Sequence, residues 1–295
     1  MKKIKRIAAA CLALLMLAGC GAKESNSTEG NTQATKPSAP GSNTQPSTKP
    51  ATQPTQTYPT TPMEPTAPQP EPNPYSPEDF AMVNGFLTCT ADETLVGIDV
   101  SVHQGAIDWQ QVAAAGVDFV MIRAAYRGYK YGQVNADANA LANIQGAKDA
   151  GLLVGVYIYS QAINVREATE EAEFLLQMLE GIDLDLPITF DWERYSDEAR
   201  TANVSNRTVT ECAVAFCETI RAAQREPMVY FNATQALEQL KLSDLLEYPF
   251  WLALYDTEAQ IPFRVHMWQY SCTGKVPGIS GNVDLNIGFF TEDSV

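Results

Sequence analysis

The chain has 295 residues, with 20 Lys and Arg against 35 Asp and Glu, and its formal net charge is −15 at pH 7. A chain this acidic is not expected to bind nucleic acid or an anionic membrane surface by electrostatic attraction. If its substrate is an anionic polymer, that polymer must be held by shape, stacking and hydrogen bonds.

The first 19 residues form a predicted export signal. Basic residues precede an apolar run from Ile7 to Ala18, which is shorter than the roughly 20 apolar residues of a transmembrane helix. The sequence LAGC at residues 17–20 resembles the lipobox of bacterial lipoproteins, in which the cysteine is lipidated. Cys20 is therefore the predicted lipid anchor, and a plain signal peptide with an incidental cysteine is the alternative. The lipobox predicts an extracytoplasmic protein anchored to the bacterial cell membrane.

Residues 20–78 form a predicted disordered linker behind this anchor. The segment is rich in Pro, Thr, Ser, Gln and Asn and has few apolar residues. Frequent proline blocks both helix and sheet, and so little apolar surface cannot offset the entropy of ordering the chain. We expect a semi-extended spacer between the lipid anchor and a folded domain.

Four cysteines remain once Cys11 and Cys20 are assigned to the export signal: Cys89, Cys212, Cys217 and Cys272. Export permits disulfides, and four cysteines allow three connectivities, which stay open. Their spacing matches no zinc motif, so no metal is predicted. Cys212 and Cys217 lie five residues apart in an apparent helix, where about 8 Å would separate their Cα atoms. A disulfide needs under about 7 Å, so both are predicted to be core thiols.

The composition becomes globular in residues 79–295, which are numerous enough for one domain with a large core. Short apolar runs alternate with helical patterns along this part of the chain. Predicted strands cover residues 95–100, 119–122, 152–157, 187–190, 228–231, 249–254, 264–270 and 282–285.

Capping signals mark the starts of three of the intervening helices. Asp108 with Gln111, Asn164 with Glu167, and Thr208 with Glu211 each have the spacing of a capping box.

Strands that alternate with helices predict a parallel sheet, and about eight strands in one domain predict a closed barrel. The expected fold is α/β, an irregular TIM-like barrel with five βα units and three final strands. An open doubly wound sheet is the alternative. No G-x-G-x-x-G follows the first strand, so no dinucleotide cofactor is predicted.

The carboxyl ends of the strands in such a barrel carry the reactive groups. These ends hold carboxylates among many aromatic residues, which is the composition of a sugar-cleaving site. The predicted catalytic group is Asp99, Asp191, Glu193 and Asp284. The predicted substrate-binding group is Arg123, Tyr126, Tyr157, Tyr159, Tyr230, Tyr255, Trp268 and Tyr270.

The sharpest local signal is FDWE at residues 190–193. Residues two apart on a strand point to the same side with Cα atoms about 6.6 Å apart, so Asp191 and Glu193 can face one substrate. Crowding two carboxyls raises the pKa of one of them and keeps it protonated as a general acid near neutral pH.

These residues belong to three elements that together resemble the glycoside hydrolase family 25 lysozymes, the N-acetylmuramidases. The first element is GIDVSVHQG at residues 97–105 with IDW at 107–109, and the second is DWE at 191–193. The third is MWQY at 267–270 running into GISGNVDLN at 278–286. The resemblance covers nearly the whole globular part, and three elements in the same order are far more specific than any one.

The resemblance implies cleavage of the β-1,4 bond between N-acetylmuramic acid and N-acetylglucosamine in peptidoglycan, without a cofactor. By motif, Glu193 is the general acid/base, and Asp191 orients the 2-acetamido group or stabilises the oxocarbenium-like state. Asp99 and Asp284 complete an acidic floor. The chain departs from the family at residues 122–128, where IRAAYRG replaces a Lys-x-Ser/Thr-Glu-Gly pattern. Arg123 can supply the lysine charge, but the change leaves substrate specificity open.

Two rival functions remain. One is a non-catalytic wall-binding module on the same barrel, which would be favoured if one of the four acidic residues were missing. The other is a chitinase-type glycosidase, which has a further Asp two residues before the D-x-E pair, where this chain has Thr189. The sequence leaves open the stereochemical course and the physiological role. The protein is expected to be a monomer.

Overall fold

The computed structural model describes residues 68–255 and 261–290. The predicted signal peptide, the lipidation site Cys20 and the predicted linker as far as residue 67 lie outside the described residues. None of the described helices is both long and apolar enough to cross a bilayer.

The described strands follow the predicted order closely. They are β1 (Phe80–Val83), β2 (Phe86–Cys89), β3 (Leu95–Val100), β4 (Phe119–Arg127), β5 (Val134–Ala136), β6 (Leu153–Ser160), β7 (Ile188–Trp192), β8 (Pro227–Asn232), β9 (Phe250–Ala253), β10 (Met267–Gly274) and β11 (Val283–Gly288). The α-helices are α1 (Trp109–Ala114), α2 (Ala140–Asp149), α3 (Val165–Met178), α4 (Asn206–Ala222) and α5 (Ala233–Glu238). Short 3₁₀ turns cover Pro77–Asp79, Val102–Gln104 and Leu242–Asp244.

Eight strands close into a barrel in the order β3-β11-β10-β9-β8-β7-β6-β4, and β4 pairs back onto β3. All neighbours are parallel except β11, which runs antiparallel to both β10 and β3. One α-helix follows each of β3, β4, β6, β7 and β8, and no α-helix separates the last three strands in the described residues. The structure thus confirms the barrel with five βα units and three final strands, and the closing pair excludes the open sheet.

Side chains alternate between the two faces of the barrel wall and form two apolar layers. The larger layer lies between the strands and the helices, with Phe190, Phe216 and Ile220 among its members. A smaller cluster fills the barrel interior around Phe119 and Met121. Gly97 leaves room for the Phe119 ring, which a Cβ atom at that position would overlap. Burial of both layers, at roughly 25 cal/mol per Å² of apolar area, is the main force that closes the barrel.

Two of the three predicted helix starts are confirmed. The side chains of Asp108 and Asn164 accept hydrogen bonds from the N–H groups of Gln111 and Glu167. The side-chain amide of Gln111, however, donates to the Asp108 carboxylate. Its oxygen does not accept from the Asp108 N–H, so the capping box is incomplete there.

The third predicted helix start is wrong. Helix α4 begins one turn earlier than predicted, because the hydroxyl of Ser205 accepts from the N–H of Thr208 at 3.1 Å. Thr208 is thus the third residue of the helix, and Glu211 forms an exposed ion pair with Arg207. Farther along the same helix, Cys212 and Cys217 are buried free thiols, as is Cys89 on β2.

Residues 71–78, here called the N-terminal strap, already lie against the barrel, although the predicted linker extended to residue 78. The Tyr75 ring stacks on Phe289 with centroids 5.0 Å apart, and its hydroxyl donates to Asp92 at 2.6 Å. The carbonyl of Glu71 accepts from the N–H of Arg264 at 2.8 Å. Arg264 precedes β10 and Phe289 follows the antiparallel β11, so the strap contacts the end of the barrel where the parallel strands begin.

Candidate active site

The predicted carboxyl groups converge at the opposite end, where the parallel strands finish. Asp99 on β3 and Asp284 on β11 are register partners. Asp191 on β7 is flanked in register by Tyr159 on β6 and Tyr230 on β8. Glu193 follows two residues after Asp191 and therefore faces the same side. Asp191 is buried, whereas Glu193 and Asp284 are half-buried and remain open to a substrate.

Asp99 lies at the centre of a buried amide network. Its Oδ2 accepts from Gln269 Nε2 at 2.7 Å and from Asn286 Nδ2 at 2.9 Å. The indole of Trp251 donates to Asn286 Oδ1 at 2.8 Å and so fixes the orientation of that amide. Burial raises the pKa of Asp99 to about 6, while the two amide donors act in the opposite direction by favouring its charged form.

Gln269 joins this carboxyl group to two tyrosines. Its Oε1 accepts from Tyr255 at 2.7 Å and from Tyr230 at 3.3 Å, so one side-chain amide bridges β8, the segment after β9, and β3. Burial, aided by the nearby carboxylates, raises the pKa of both tyrosines well above the usual value. Both therefore remain neutral hydrogen-bond donors at physiological pH.

Asp191 and Glu193 form a pair of neighbouring carboxyl groups in the site. Burial, the nearby Glu193 and the nearby Asp99 raise the pKa of Asp191 well above its usual value, and Arg123 opposes that rise. Burial, followed by the charge of Asp99, raises the pKa of Glu193 to about 7. The raised pKa values of both groups favour a protonated carboxyl group in the pair near neutral pH. Such a pair can donate a proton and present a carboxylate to one substrate.

One oxygen of the pair has no protein partner. Asp191 Oδ1 is buried and accepts no hydrogen bond within the described residues. A buried acceptor without a partner is costly, so an N–H or O–H group of a ligand would relieve that cost.

Two side-chain amides hold the end of β7 where its pairing with the sheet stops. Gln161 Nε2 donates to the main-chain carbonyl of Glu193 at 2.5 Å, and Gln235 donates to that of Trp192. Gln161 is fully buried, and Arg200 in turn donates to its carbonyl at 2.8 Å. These contacts fix the backbone that carries both carboxyl groups of the pair.

Arg123, the predicted replacement for the family's lysine, lies at the mouth of the site. Its Nε and terminal nitrogen bind the buried Asp137 at 2.9 and 2.8 Å. Asp137 also accepts from the N–H groups of Val102 and Asn139, so it is itself firmly held. The guanidinium group packs over the Tyr126 ring, 5.5 Å from its centroid.

Two predicted substrate-binding residues, Trp268 and Tyr270, face away from the carboxyl cluster. Trp268 is fully buried on the outer face of β10, where its ring packs edge-on against Phe80 and its indole donates to Leu254. Tyr270 lies on the same outer face, and its hydroxyl accepts from the N–H of Leu87 at 3.1 Å. The strand alternates faces, so the residue between them, Gln269, is the one that faces the site. The other predicted binding residues, Tyr157, Tyr159, Tyr230, Tyr255, Tyr126 and Arg123, lie at or beside the carboxyl cluster.

Sequence reasoning did not select five polar residues that support the site: Asp137, Gln161, Gln235, Gln269 and Asn286. Gln269 and Asn286 stand inside the recognised motifs, and strict alternation from Asp284 would have placed Asn286 beside it on the inner face. Among the described residues, no cluster of His, Cys, Asp or Glu has the arrangement of a metal site.

The fold and this site together define a closed eight-stranded α/β barrel protein with a carboxyl pair among buried amides and tyrosines. The chain belongs to glycosyl hydrolases family 25, whose family model matches residues 98–279.

Comparisons with individual proteins agree with this assignment. The chain is 30% identical over 200 residues to "Lysozyme M1" of Streptomyces globisporus and 30% identical over 191 residues to "Autolytic lysozyme" of Clostridium acetobutylicum. Each match covers 64% of this chain, but it spans only 66% and 54% of those relatives' own lengths.

Solved structures share the fold. The bacterial lysozyme of Streptomyces coelicolor superposes with a TM-score of 0.53 at 28% identity, covering 65% of this chain and 90% of that one. The modular autolysin LytC of Streptococcus pneumoniae, solved with a synthetic peptidoglycan ligand, gives a TM-score of 0.59 at 27% identity. That match covers 66% of this chain and 46% of the autolysin chain.

Proposed function

We propose that this protein is a peptidoglycan hydrolase that cleaves the β-1,4 bond between N-acetylmuramic acid and N-acetylglucosamine. The observation that carries the proposal is the Asp191–Glu193 pair at the end of β7, where burial holds the pKa of Glu193 at about 7. A carboxyl group with that pKa is protonated in a large fraction of molecules at neutral pH and still gives up its proton readily. Family membership and the lysozyme relatives support the choice of polymer.

In the proposed reaction, Glu193 donates its proton to the glycosidic oxygen while the bond from that oxygen to the anomeric carbon breaks. Positive charge then develops on the sugar, and the carboxylate of Asp191 stabilises it. Water adds to the anomeric carbon, and its proton passes to a carboxylate of the pair. The unpartnered Oδ1 of Asp191 suits the N–H of a 2-acetamido group, which both sugars of peptidoglycan carry.

Asp99 acts on the pair from β3, across the barrel from β7, and Asp284 is its register partner. Asp99 raises the pKa of Asp191, Glu193 and Asp284 by its charge, and the amides of Gln269 and Asn286 keep it in place. Tyr157, Tyr159, Tyr230 and Tyr255 supply neutral donors and apolar ring surface for the sugar.

Fragment analysis of digested peptidoglycan tests the proposal. Purified peptidoglycan treated with the protein should yield muropeptides that end in reducing muramic acid, as shown by mass spectrometry after borohydride reduction. Reducing N-acetylglucosamine would mean that a different glycosidic bond is cut, and binding without any cleavage would favour the wall-binding module. A chitinase-type activity would instead appear as hydrolysis of N-acetylglucosamine oligomers.

The location of the protein is also a proposal. The sequence LAGC before a proline-rich segment supports lipidation of Cys20 and extracytoplasmic anchoring to the cell membrane, with the barrel reaching the wall. Replacing Cys20 by Ala should move the protein from the membrane fraction to the medium. Unchanged membrane association would contradict the anchor, and light scattering of the secreted variant would test the expected monomer.

A further inference from the structure

Four tyrosines lie on two chain segments beside the candidate active site. Tyr126 is on β4, Tyr129 and Tyr131 are in the turn between β4 and β5, and Tyr195 comes two residues after Glu193. The rings of Tyr129 and Tyr195 stack with centroids 4.2 Å apart and planes 15° from parallel. These four residues are here called the tyrosine ledge.

Three tyrosines of the ledge are exposed, and Tyr195 is half-buried. Tyr126, Tyr129 and Tyr131 are 37%, 47% and 76% exposed, whereas Tyr157 and Tyr230 are buried. Three aromatic side chains left in solvent on one short segment are not explained by core packing, and exposed aromatic groups of this kind mark binding surfaces.

The backbone under the tyrosine ledge is held in place. The N–H of Arg200 donates to the carbonyl of Tyr129 at 3.2 Å, which ties the turn to the segment that carries Tyr195. Gly132 adopts a φ of 73°, and the Arg200 guanidinium lies where a Cβ atom on that glycine would be. Arg200 is in turn bound to Glu167 at 2.6 Å. A surface that is ordered before binding loses little entropy when a ligand arrives.

The tyrosine ledge is continuous with the carboxyl pair. Tyr126 on β4 is the register partner of Tyr159 on β6, and Tyr159 is the register partner of Asp191 on β7. A row of side chains therefore runs across three neighbouring strand ends from the ledge to the reactive pair. An extended chain molecule bound at the pair can continue over the ledge.

We propose that the tyrosine ledge binds further sugar rings of the glycan strand, beyond those at the bond that is cut. The inference rests on the proposed function and deepens it, because it makes long glycan strands the preferred substrate. Pyranose rings present apolar C–H faces on which uncharged phenol rings can stack. An uncharged sugar ring is not repelled by this acidic chain, as an anionic group would be. The ammonium group of Lys130 lies 5.2 Å from the Tyr131 ring centroid and adds a positive charge to the ledge.

Binding to purified peptidoglycan tests the ledge without depending on cleavage. The full chain carrying Glu193→Gln is the parent protein, and its affinity for insoluble peptidoglycan is measured by co-sedimentation. Adding Tyr129→Ala should weaken that affinity by about 3- to 10-fold, the usual effect of losing one aromatic contact. Adding Tyr129→Phe, which keeps the ring, should change it by less than about twofold.

Leu141→Ala in the same parent is the matched control, because Leu141 is also an exposed apolar side chain but lies on α2. It should leave the affinity unchanged. The ledge proposal is overturned if Tyr129→Ala binds peptidoglycan as the parent does, or if Tyr129→Phe loses as much affinity as Tyr129→Ala. Cleavage by the wild-type protein is scored separately. If the wild-type protein cleaves peptidoglycan but Tyr129→Ala does not weaken binding, only the ledge proposal is refuted. If Tyr129→Ala weakens binding but the wild-type protein cleaves nothing, only the proposed hydrolase is refuted.

Discussion

Strands β7 and β10 each carry a triplet in which large and polar side chains alternate. The two flanking residues of the triplet face the barrel interior on β7, whereas the middle residue does so on β10. On β7, Asp191 and Glu193 face the site. The residue between them, Trp192, packs outward, and its indole donates to the carbonyl of Ala162. On β10 the middle residue, Gln269, faces the site, and Trp268 and Tyr270 pack outward. In both strands the tryptophan lies on the outer face. Packing in the apolar layer outside the barrel, and not contact with a substrate, therefore explains the position of these aromatic side chains.

The difference shows that residue type alone cannot assign a face. The outer face of β7 packs into the apolar layer, with Phe190 against Phe216, so only the inner face can hold the two carboxyl groups. An aromatic residue suits a sugar surface and an apolar core equally well, and burying one stabilises the fold by roughly 1.5–3 kcal/mol. Register with the neighbouring strands decides between the two.

The largest expected effect comes from the inner face of β7. Glu193→Gln keeps the shape of the side chain but removes its acidic proton, so turnover on peptidoglycan should fall by about 10²–10⁴-fold. Affinity for the polymer should stay close to that of the wild type. Glu173→Gln, the same substitution on the exposed surface of α3, is the control and should leave turnover unchanged. A Glu193→Gln protein with wild-type turnover would rule out the acid/base assignment.

The next effect is on stability and comes from the outer face of β10. Trp268→Ala should lower the free energy of unfolding by about 3–5 kcal/mol, since it empties a fully buried site between the barrel and Phe80. Urea unfolding measures the loss. Turnover per folded molecule should be retained at low temperature. If Trp268 bound sugar instead, the variant would keep its stability and lose affinity for peptidoglycan.

A smaller effect is expected from the inner residue of β10. Gln269→Leu removes a donor to Asp99, so the pKa of Asp99 should rise and Asp99 should carry less charge near neutral pH. The charge of Asp99 helps to raise the pKa of Glu193. With less charge on Asp99, the pKa of Glu193 should fall from about 7. The alkaline limb of the pH–rate profile, which is expected to follow that pKa, should then move to lower pH. Gln177→Leu on the exposed surface of α3 should not move it. An unshifted limb would mean that Asp99 does not act on Glu193.

The smallest effect is expected from the outer tyrosine of β10. Tyr270→Phe removes the oxygen that accepts from the N–H of Leu87, which should cost about 1–2 kcal/mol of unfolding free energy because that donor is left buried. The pH–rate profile should be identical to that of the wild type. A changed profile would place Tyr270 in the site after all.

Sequence alone predicted most of the barrel because each strand is a compact apolar run with a polar end. It missed the β1–β2 hairpin, whose first strand, Phe80–Val83, is largely exposed and has no clear alternation. It found the Asp191–Glu193 pair from local spacing. Gln161 could not be found in this way, because an amide that binds a distant main-chain carbonyl leaves no pattern around its own position. Gln235 has the capping-box spacing from Asn232, but that pattern indicates the start of α5 and not the bond to Trp192.

The pKa of Glu193 shows the same limit. The sequence predicted that its close neighbour Asp191 raises it, whereas burial is the larger cause and the foremost charge is that of Asp99 on β3. Both depend on barrel closure, which brings together residues that are distant in the chain.

The N-terminal strap has a mechanical consequence. It contacts the barrel through Tyr75 and Glu71 at the end where the parallel strands begin, and the carboxyl pair is at the other end. A force applied along the preceding chain would load the Tyr75–Phe289 stack and the Glu71–Arg264 hydrogen bond before it reached any strand of the site. The strap can peel away under tension while the geometry of Asp191 and Glu193 stays intact.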